Sequence, residues 1–235
     1  MLEAMQKIRE RAFGPLLVCV AWMAITALTP YLKHLYNFRA INPNLLPAIR
    51  MTLLLVVTVL YARIFERRRF AEAFNLNFKR IGRNVLWAVV FFVVATAVVQ
   101  AYEYVIVRPV LGASVEASGG ASEAAPPLLH RFFEYLYVLY EGVVEVLIFI
   151  GFLLDRLAKR WGWAWSLAIT NMAFALWHYS YWRQGWMVGS LMILLTFFAG
   201  LVISLSYIKT KNSLSPMICH TLVDLPSEIS MLLGL

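Results

Sequence analysis

The chain has 235 residues, of which 61% are hydrophobic and 14% charged, and its formal net charge is +8. Soluble domains are about 45–50% apolar and about one quarter charged, so this composition excludes an ordinary soluble globular domain. The 14% aromatic content and the long apolar runs exclude a disordered chain. The two cysteines, Cys19 and Cys219, lie in apolar runs, which excludes a disulfide-stapled secreted domain.

Seven apolar stretches reach the length of about 20 residues that a membrane-crossing helix needs. They cover residues 13–32, 45–65, 85–107, 132–154, 163–181, 186–207 and 214–235. The sequence therefore predicts an all-α fold, a polytopic transmembrane helix bundle with about seven spans. No small-residue cleavage site ends the first stretch, so we interpret it as a retained helix and not as a signal peptide.

The distribution of Lys and Arg predicts the orientation. With a cytoplasmic N-terminus, the inside segments hold 15 basic residues and the outside segments hold 5, while Arg50 stays within the second span. Because cytoplasmic loops are enriched in Lys and Arg, this orientation is favoured. The predicted location is an integral membrane protein, in the bacterial inner membrane or an equivalent; an endoplasmic reticulum membrane stays open.

A change in composition divides the chain. Residues 112–127 read GASVEASGGASEAAPP, which is typical of a flexible linker outside the membrane. The predicted parts are residues 1–110 with three helices, a linker over 111–129, and residues 130–235 with four helices. The basic segment 66–84 is either a solvated loop or an interfacial helix whose apolar side chains touch lipid: Phe65, Phe70, Phe74, Leu76 and Phe78.

Polar residues recur on three helices of the last part, where they are costly to bury in a membrane. The set comprises Glu141 and Glu145, then Asn171, Phe174 and His178, then His220 and Asp224. Members of each group stand three or four residues apart, so each group shares one helix face. The cheapest arrangement points the three faces at one another. A Glu, two His and an Asp in a dry cavity are suited to general-base and electrophilic catalysis.

The last part resembles the CPBP family of CAAX-type intramembrane glutamic endopeptidases and their bacteriocin-processing and immunity relatives. That family has a Glu-Glu pair followed, after two residues, by Phe-Arg-Gly, and here Glu145, Phe149 and Gly151 match. A Phe followed four residues later by His is Phe174 with His178. A His followed four residues later by Asn or Asp is His220 with Asp224. The resemblance covers about residues 130–226.

This resemblance implies a function and roles for the matching residues. Glu145 would be the general base, His178 would help to hold the attacking water, and His220 with Asp224 would stabilise the oxyanion. No cofactor and no metal is implied. The substrate would be a membrane-associated protein or peptide cut near a C-terminal or leader segment. We find no nucleic-acid module.

The first motif departs from the family at two positions. Val146 stands in place of the second Glu, and Ile150 in place of the Arg. Glu141, one helical turn before Glu145, could take over part of the lost role, and so could Asn171. Alternatively, the site is weakened and the protein is an inactive relative that acts as an immunity or membrane-scaffold protein. A transporter with accidental matches is a third hypothesis.

Two other protease classes are alternatives for this set of residues. Glu and two His can bind zinc, but the HExxH signature is absent. A serine protease of the rhomboid kind needs glycines flanking its Ser, and neither Ser190 nor Ser204 has that pattern.

Helical rise along the predicted spans places Glu145 and His220 towards the inner side of the membrane and His178 towards the outer side. They can meet only if the fifth helix starts late or tilts.

Overall fold

The computed structural model describes residues 14–15, 17–26, 28, 45–112 and 128–233. These residues form helices and no strand. The helices, in chain order, are α1 (Leu17–Thr26), α2 (Leu45–Ile64), α3 (Phe70–Ala73), α4 (Ile81–Leu111), α5 (Leu128–Glu145), α6 (Asp155–Trp177), α7 (Trp186–Thr210) and α8 (Leu214–Leu233). A π-helical segment, Val146–Leu154, joins α5 to α6, and a 3₁₀ turn, Tyr179–Gln184, joins α6 to α7.

Among the described residues, four helical stretches are long and apolar enough to cross a membrane. They are Leu45–Ile64, Ile81–Leu111, Tyr135–Trp177 and Trp186–Thr210. The shorter apolar helices Leu17–Thr26 and Leu214–Leu225 accompany them. The predicted all-α membrane fold is confirmed. The count of seven spans and the cytoplasmic N-terminus stay predictions.

The longest of these stretches folds back on itself. Its 43 residues would extend about 65 Å if straight, roughly twice the apolar thickness of a bilayer. Gly162 breaks the helix with φ 75° and ψ 171°. Beyond this break Phe149 packs on Phe174 and Trp177, with ring centroids 5.6 and 6.1 Å apart. The stretch is therefore a helical hairpin with two antiparallel legs.

The first leg is longer than the sequence predicted. The fourth span was expected to end at residue 154 in a basic loop, but helix continues to Gly162 and includes Arg156. Arg156 is buried because its guanidinium donates to the Glu66 carboxylate, with Nε 2.6 Å from Oε1, and to the carbonyl oxygens of Ala73 and Phe152. Because these hydrogen bonds compensate its charge, Arg156 can lie within the buried helix and does not require a solvated loop.

The segment between α2 and α4 bends into the bundle. Phe74 is fully buried and Leu76 packs against the core, so the expectation that these two side chains touch lipid is wrong. The reason is a set of hydrogen bonds: Ser213 donates to the Phe74 carbonyl, and Asn75 Nδ2 donates to Gly151 O (3.2 Å) and Tyr207 Oη (2.8 Å). Phe65, Phe70 and Phe78 are exposed, which is compatible with either of the two predicted alternatives for this segment.

Two apolar clusters hold the hairpin. On one side it packs against α2, with Met51, Leu54 and Phe152 fully buried. On the other side Ala88 of α4 meets Ile203 of α7 and Cys219 of α8. Helices from before and after the predicted linker thus pack together. Residues 113–127 lie outside the described residues, and the domain division stays a prediction.

Replacing Gly162 by alanine is expected to destabilise the protein by about 1–3 kcal/mol, because residues with a Cβ rarely adopt this backbone conformation. The measurement is the free energy of unfolding in mixed micelles, titrated with a denaturing detergent. Gly82→Ala is the matched control, since Gly82 lies in α4 with open space around its Cβ position and alanine favours helix. Equal unfolding free energies for both variants would contradict the turn geometry.

Candidate active site

Glu145, the last residue of α5, carries a buried carboxylate between two imidazoles. Its side chain is 1% exposed, and Oε2 lies 3.9 Å from His178 Nε2 and 3.9 Å from His220 Nε2. Neither carboxylate oxygen has a hydrogen-bond partner among the described residues. A separation of 3.9 Å is too long for a direct hydrogen bond but suits a bridging water. The three residues that the sequence selected are therefore brought together.

The sequence predicts that Glu145 and His178 lie at different depths in the membrane, and the hairpin removes this difference. Glu145 precedes the break at Gly162 by 17 residues, and His178 follows it by 16. Because the two legs rise equally from one turn, both residues reach the same level. The expected mismatch arose because the first leg was predicted to be too short.

His178 follows the end of α6, and its ring is fixed by the helix terminus. Its Nδ1 lies 3.0 Å from the carbonyl oxygen of Phe174. A carbonyl only accepts, so Nδ1 donates and Nε2, which faces Glu145, is the acceptor of the neutral ring. The Phe174 ring contacts both imidazoles edge-on, at 5.0 Å from His178 and 5.6 Å from His220. Phe174 thus packs against both rings, and its supporting role stays a prediction.

His220 and Asp224 lie one turn apart on α8, with His220 Nε2 3.6 Å from Asp224 Oδ2. Nε2 faces the carboxylates of both Asp224 and Glu145, so a proton is favoured on this nitrogen. Gly142 of α5 allows the approach of α8: a Cβ there would stand 2.7 Å from Thr221 Oγ1 and 3.4 Å from His220 Nδ1. A small residue at this crossing brings His220 against Glu145.

Glu141 joins the site on the side of His178. Tyr137 Oη donates to Glu141 Oε1 at 3.2 Å. Ligand atoms of Glu141, Glu145 and His178 all lie within 4.8 Å of one another, so these three side chains could hold a metal ion. The expectation of a metal-free site therefore has a geometric rival.

Asn171 lies beside the site, but its hydrogen bonds go elsewhere. Its Nδ2 donates to the Leu167 carbonyl at 2.8 Å, and its Oδ1 accepts from Ser204 at 3.1 Å. The structure therefore does not show Asn171 as a hydrogen-bond partner of Glu145. Gly200 of α7 makes the contact possible, since a Cβ there would stand 2.7 Å from Asn171 Oδ1.

The two positions that depart from the family motif face an apolar environment. Val146 and Ile150 pack in the cluster with Ala88, Ile203 and Cys219. Both also line a small cavity shared with Glu145, Phe149, Asn171, Phe174, Gly200, Ile203 and His220. Its space open to water, about 10 Å³, is close to the minimum for one water molecule.

Arg50 is the residue near the site that sequence reasoning left without a role. Its guanidinium lies over the rings of Trp177 (5.1 Å) and Tyr179 (5.7 Å), the chain neighbours of His178, and Nη1 donates to Tyr179 Oη at 2.9 Å. It is close enough to interact electrostatically with Glu141 and Glu145. The signal in the sequence was a single cation inside an otherwise apolar span.

Residues 127–226 match the family described as type II CAAX prenyl endopeptidase, Rce1-like. Comparisons with curated proteins and with solved structures give no significant match. Residues 127–226 therefore form a domain of the CPBP family of CAAX-type proteases, as the motifs indicated. The match and the apolar helices define an integral membrane protein, and the activity the family suggests is that of a membrane protease.

When both imidazole rings are neutral, His178 and His220 are expected to be opposite tautomers. His178 should carry its proton on Nδ1, since this atom faces the Phe174 carbonyl, and His220 should carry its proton on Nε2, between two carboxylates. Nitrogen-15 solid-state NMR of histidine-labelled protein in lipid distinguishes the tautomers, with His178→Gln and His220→Gln used for assignment. A spectrum with Nε2 protonated in His178 would contradict the geometry.

Proposed function

We propose that the protein is an intramembrane endopeptidase of the glutamic type that cleaves a membrane-associated protein or peptide, near a C-terminal or leader segment. The observation that carries the proposal is the placement of Glu145, buried and 3.9 Å from Nε2 of both His178 and His220. This spacing leaves room for a water molecule between a base and two ring nitrogens. The proposed catalytic residues are Glu145, His178 and His220, and Asp224 is proposed to act through His220.

The chemistry follows from the protonation of the rings. A water held by the Glu145 carboxylate and by the acceptor Nε2 of His178 is aligned for attack on a peptide carbonyl. As the oxygen–carbon bond forms, Glu145 takes a proton from the water and the carbonyl oxygen becomes an oxyanion. His220 donates from Nε2 to that oxyanion. When the carbon–nitrogen bond breaks, the proton on Glu145 passes to the leaving amine.

Asp224 supports the donor role of His220. A carboxylate at 3.6 Å from Nε2 favours the protonated nitrogen and fixes the plane of the ring. Asp224 is 37% exposed in its side chain, so it lies at the open side of the site. A carboxylate cannot itself donate to the oxyanion, which makes Asp224 a positioning residue in this mechanism.

The topology that we propose has seven spans with the N-terminus in the cytoplasm. The hairpin supports it, because its two legs supply two of the spans within one continuous helical stretch. The excess of Lys and Arg on the proposed cytoplasmic side supports the orientation. The proposed location is a bacterial inner membrane.

Glu145→Gln, His178→Ala and His220→Ala are each expected to lower turnover of a membrane-anchored peptide. Loss of the donor His220 should cost about 10²–10³-fold, and loss of the base at least about 10²-fold. The measurement is initial cleavage rate in lipid nanodiscs, with unfolding checked in parallel. Glu72→Gln is the control, since Glu72 is exposed on α3.

Full activity of Glu145→Gln would refute the mechanism. An immunity phenotype in cells that survives Glu145→Gln, with no cleavage by the unaltered protein, would instead favour the inactive relative. The apolar packing of Val146 and Ile150, where the family has Glu and Arg, is the observation behind that alternative.

A zinc peptidase is the second candidate, because Glu141, Glu145 and His178 converge within 4.8 Å. Nitrogen and oxygen ligand atoms about 2.0–2.2 Å from zinc lie roughly 3.3–3.6 Å apart, so these side chains would have to approach one another by up to about 1.5 Å to hold the ion. The N–H of His178 directed to a backbone carbonyl also resembles the support of a metal ligand.

We expect cleavage to be unaffected by a strong chelator, since the proposed mechanism uses no metal. Purified protein is assayed before and after dialysis against the chelator, and its zinc content is measured. Glu141→Gln is included: if Glu141 takes over part of the role of the motif Glu that Val146 replaces, the variant lowers turnover without changing metal content. Activity lost on chelation, restored by zinc, and zinc lost from Glu141→Gln would favour the metalloenzyme.

A further inference from the structure

Arg50 places a cation beside the proposed active site, and no carboxylate of the described residues forms a hydrogen bond with it. No Asp or Glu oxygen of the described residues lies within 4 Å of its guanidinium, and the buried Nε makes no hydrogen bond. Within the described residues its hydrogen bond is the one from Nη1 to the neutral hydroxyl of Tyr179. A charge in an apolar span is costly when it lacks a directly bonded counter-charge. The contacts with Trp177 and Tyr179 hold the guanidinium in place, while Glu141 and Glu145 act on it electrostatically from beyond ion-pair distance.

The surroundings of Arg50 indicate which ligand would complete it. Planar guanidinium groups bind carboxylates through paired hydrogen bonds, which a neutral group or a single point charge cannot reproduce. Trp177 and Tyr179 flank His178 in the chain, so a carboxylate on Arg50 would lie within a few residues of a peptide bond at Glu145. An extended peptide spans about 3.3–3.6 Å per residue.

We propose that Arg50 is a substrate-binding residue that takes a carboxylate of the peptide, either its C-terminal carboxylate or an acidic side chain close to the cleaved bond. This inference rests on the proposed function, since it assigns part of the same site. The substrate carboxylate would supply a directly bonded counter-charge, and the rings of Trp177 and Tyr179 keep the guanidinium oriented before the substrate arrives. Binding there fixes the distance between the anionic group and the cleaved bond.

The test measures binding in the Glu145→Gln background, so that it does not depend on catalysis. The probes are synthetic peptides with one apolar helix, a short tail and an N-terminal fluorophore, which differ only in the tail. One has a neutral tail with a free C-terminal carboxylate, one has the same tail with a C-terminal amide, and one has an amide end and an Asp within the tail. Affinities are measured by fluorescence anisotropy in nanodiscs.

The expected result is a preference of about ten- to a hundred-fold for one or both carboxylate peptides over the neutral amide. The preference should disappear in Arg50→Gln and persist in Arg63→Gln, a control from the exposed end of the same helix. Which of the two carboxylate peptides binds more tightly shows whether Arg50 takes the C-terminal carboxylate or the acidic side chain.

Three results would overturn the assignment of Arg50. They are equal affinity for all three peptides, no measurable binding of either carboxylate peptide, and an Arg50→Gln variant that weakens every peptide equally. In the last case Arg50 supports the fold or the charge of Glu145 and does not bind substrate. A preserved carboxylate preference together with absence of cleavage by the unaltered protein would reject the proposed function and leave the role of Arg50 standing.

Discussion

The structure depends on how a carboxylate is accommodated deep in an apolar helical hairpin. Neither carboxylate oxygen of Glu145 has a hydrogen-bond partner among the described residues, and two imidazole nitrogens lie 3.9 Å from one of them. A buried ionisable group of this kind is retained at a considerable cost. The cost is understandable when the group has a chemical task. The surrounding residues are then arranged for the water and substrate that complete the site.

Much of this site could be predicted from spacing alone. Residues four apart on one helix share a face, which selected Glu141 with Glu145 and His220 with Asp224. The motifs around Phe174 and His178 added the third helix. The relative depth of these residues could not be predicted, because it depends on where the hairpin turns. The basic residues that begin with Arg156 predict the turn at that point of the chain. The chain instead continues as helix until Gly162, because Glu66 neutralises Arg156.

Other features needed three dimensions. The partners of Arg50 are aromatic residues more than 120 positions away in the chain, which the periodicity of a single helix does not reveal. Phe74 read as a lipid-facing residue of a basic segment, but Ser213 draws its backbone into the bundle. The sequence predicts Asn171 as a possible partner of Glu145, but the side-chain carbonyl of Asn171 accepts a hydrogen bond from Ser204 on a neighbouring helix. In each case a long-range hydrogen bond overrides the local pattern.

The π-helical segment that begins directly after Glu145 has a consequence for insertions and deletions. A π turn holds one more residue than an α turn, and such turns occur often at functional sites. Removing one residue from Val146–Leu154 would let the backbone tighten into ordinary α-helix, and the rest of the bundle would keep its length. Because a π turn accommodates its extra residue locally, the helical turns before and after it would keep their direction, and Glu145 would still face the second leg. The change would fall on the side chains between these two fixed ends, since one fewer residue of Val146–Leu154 would pack beside the carboxylate.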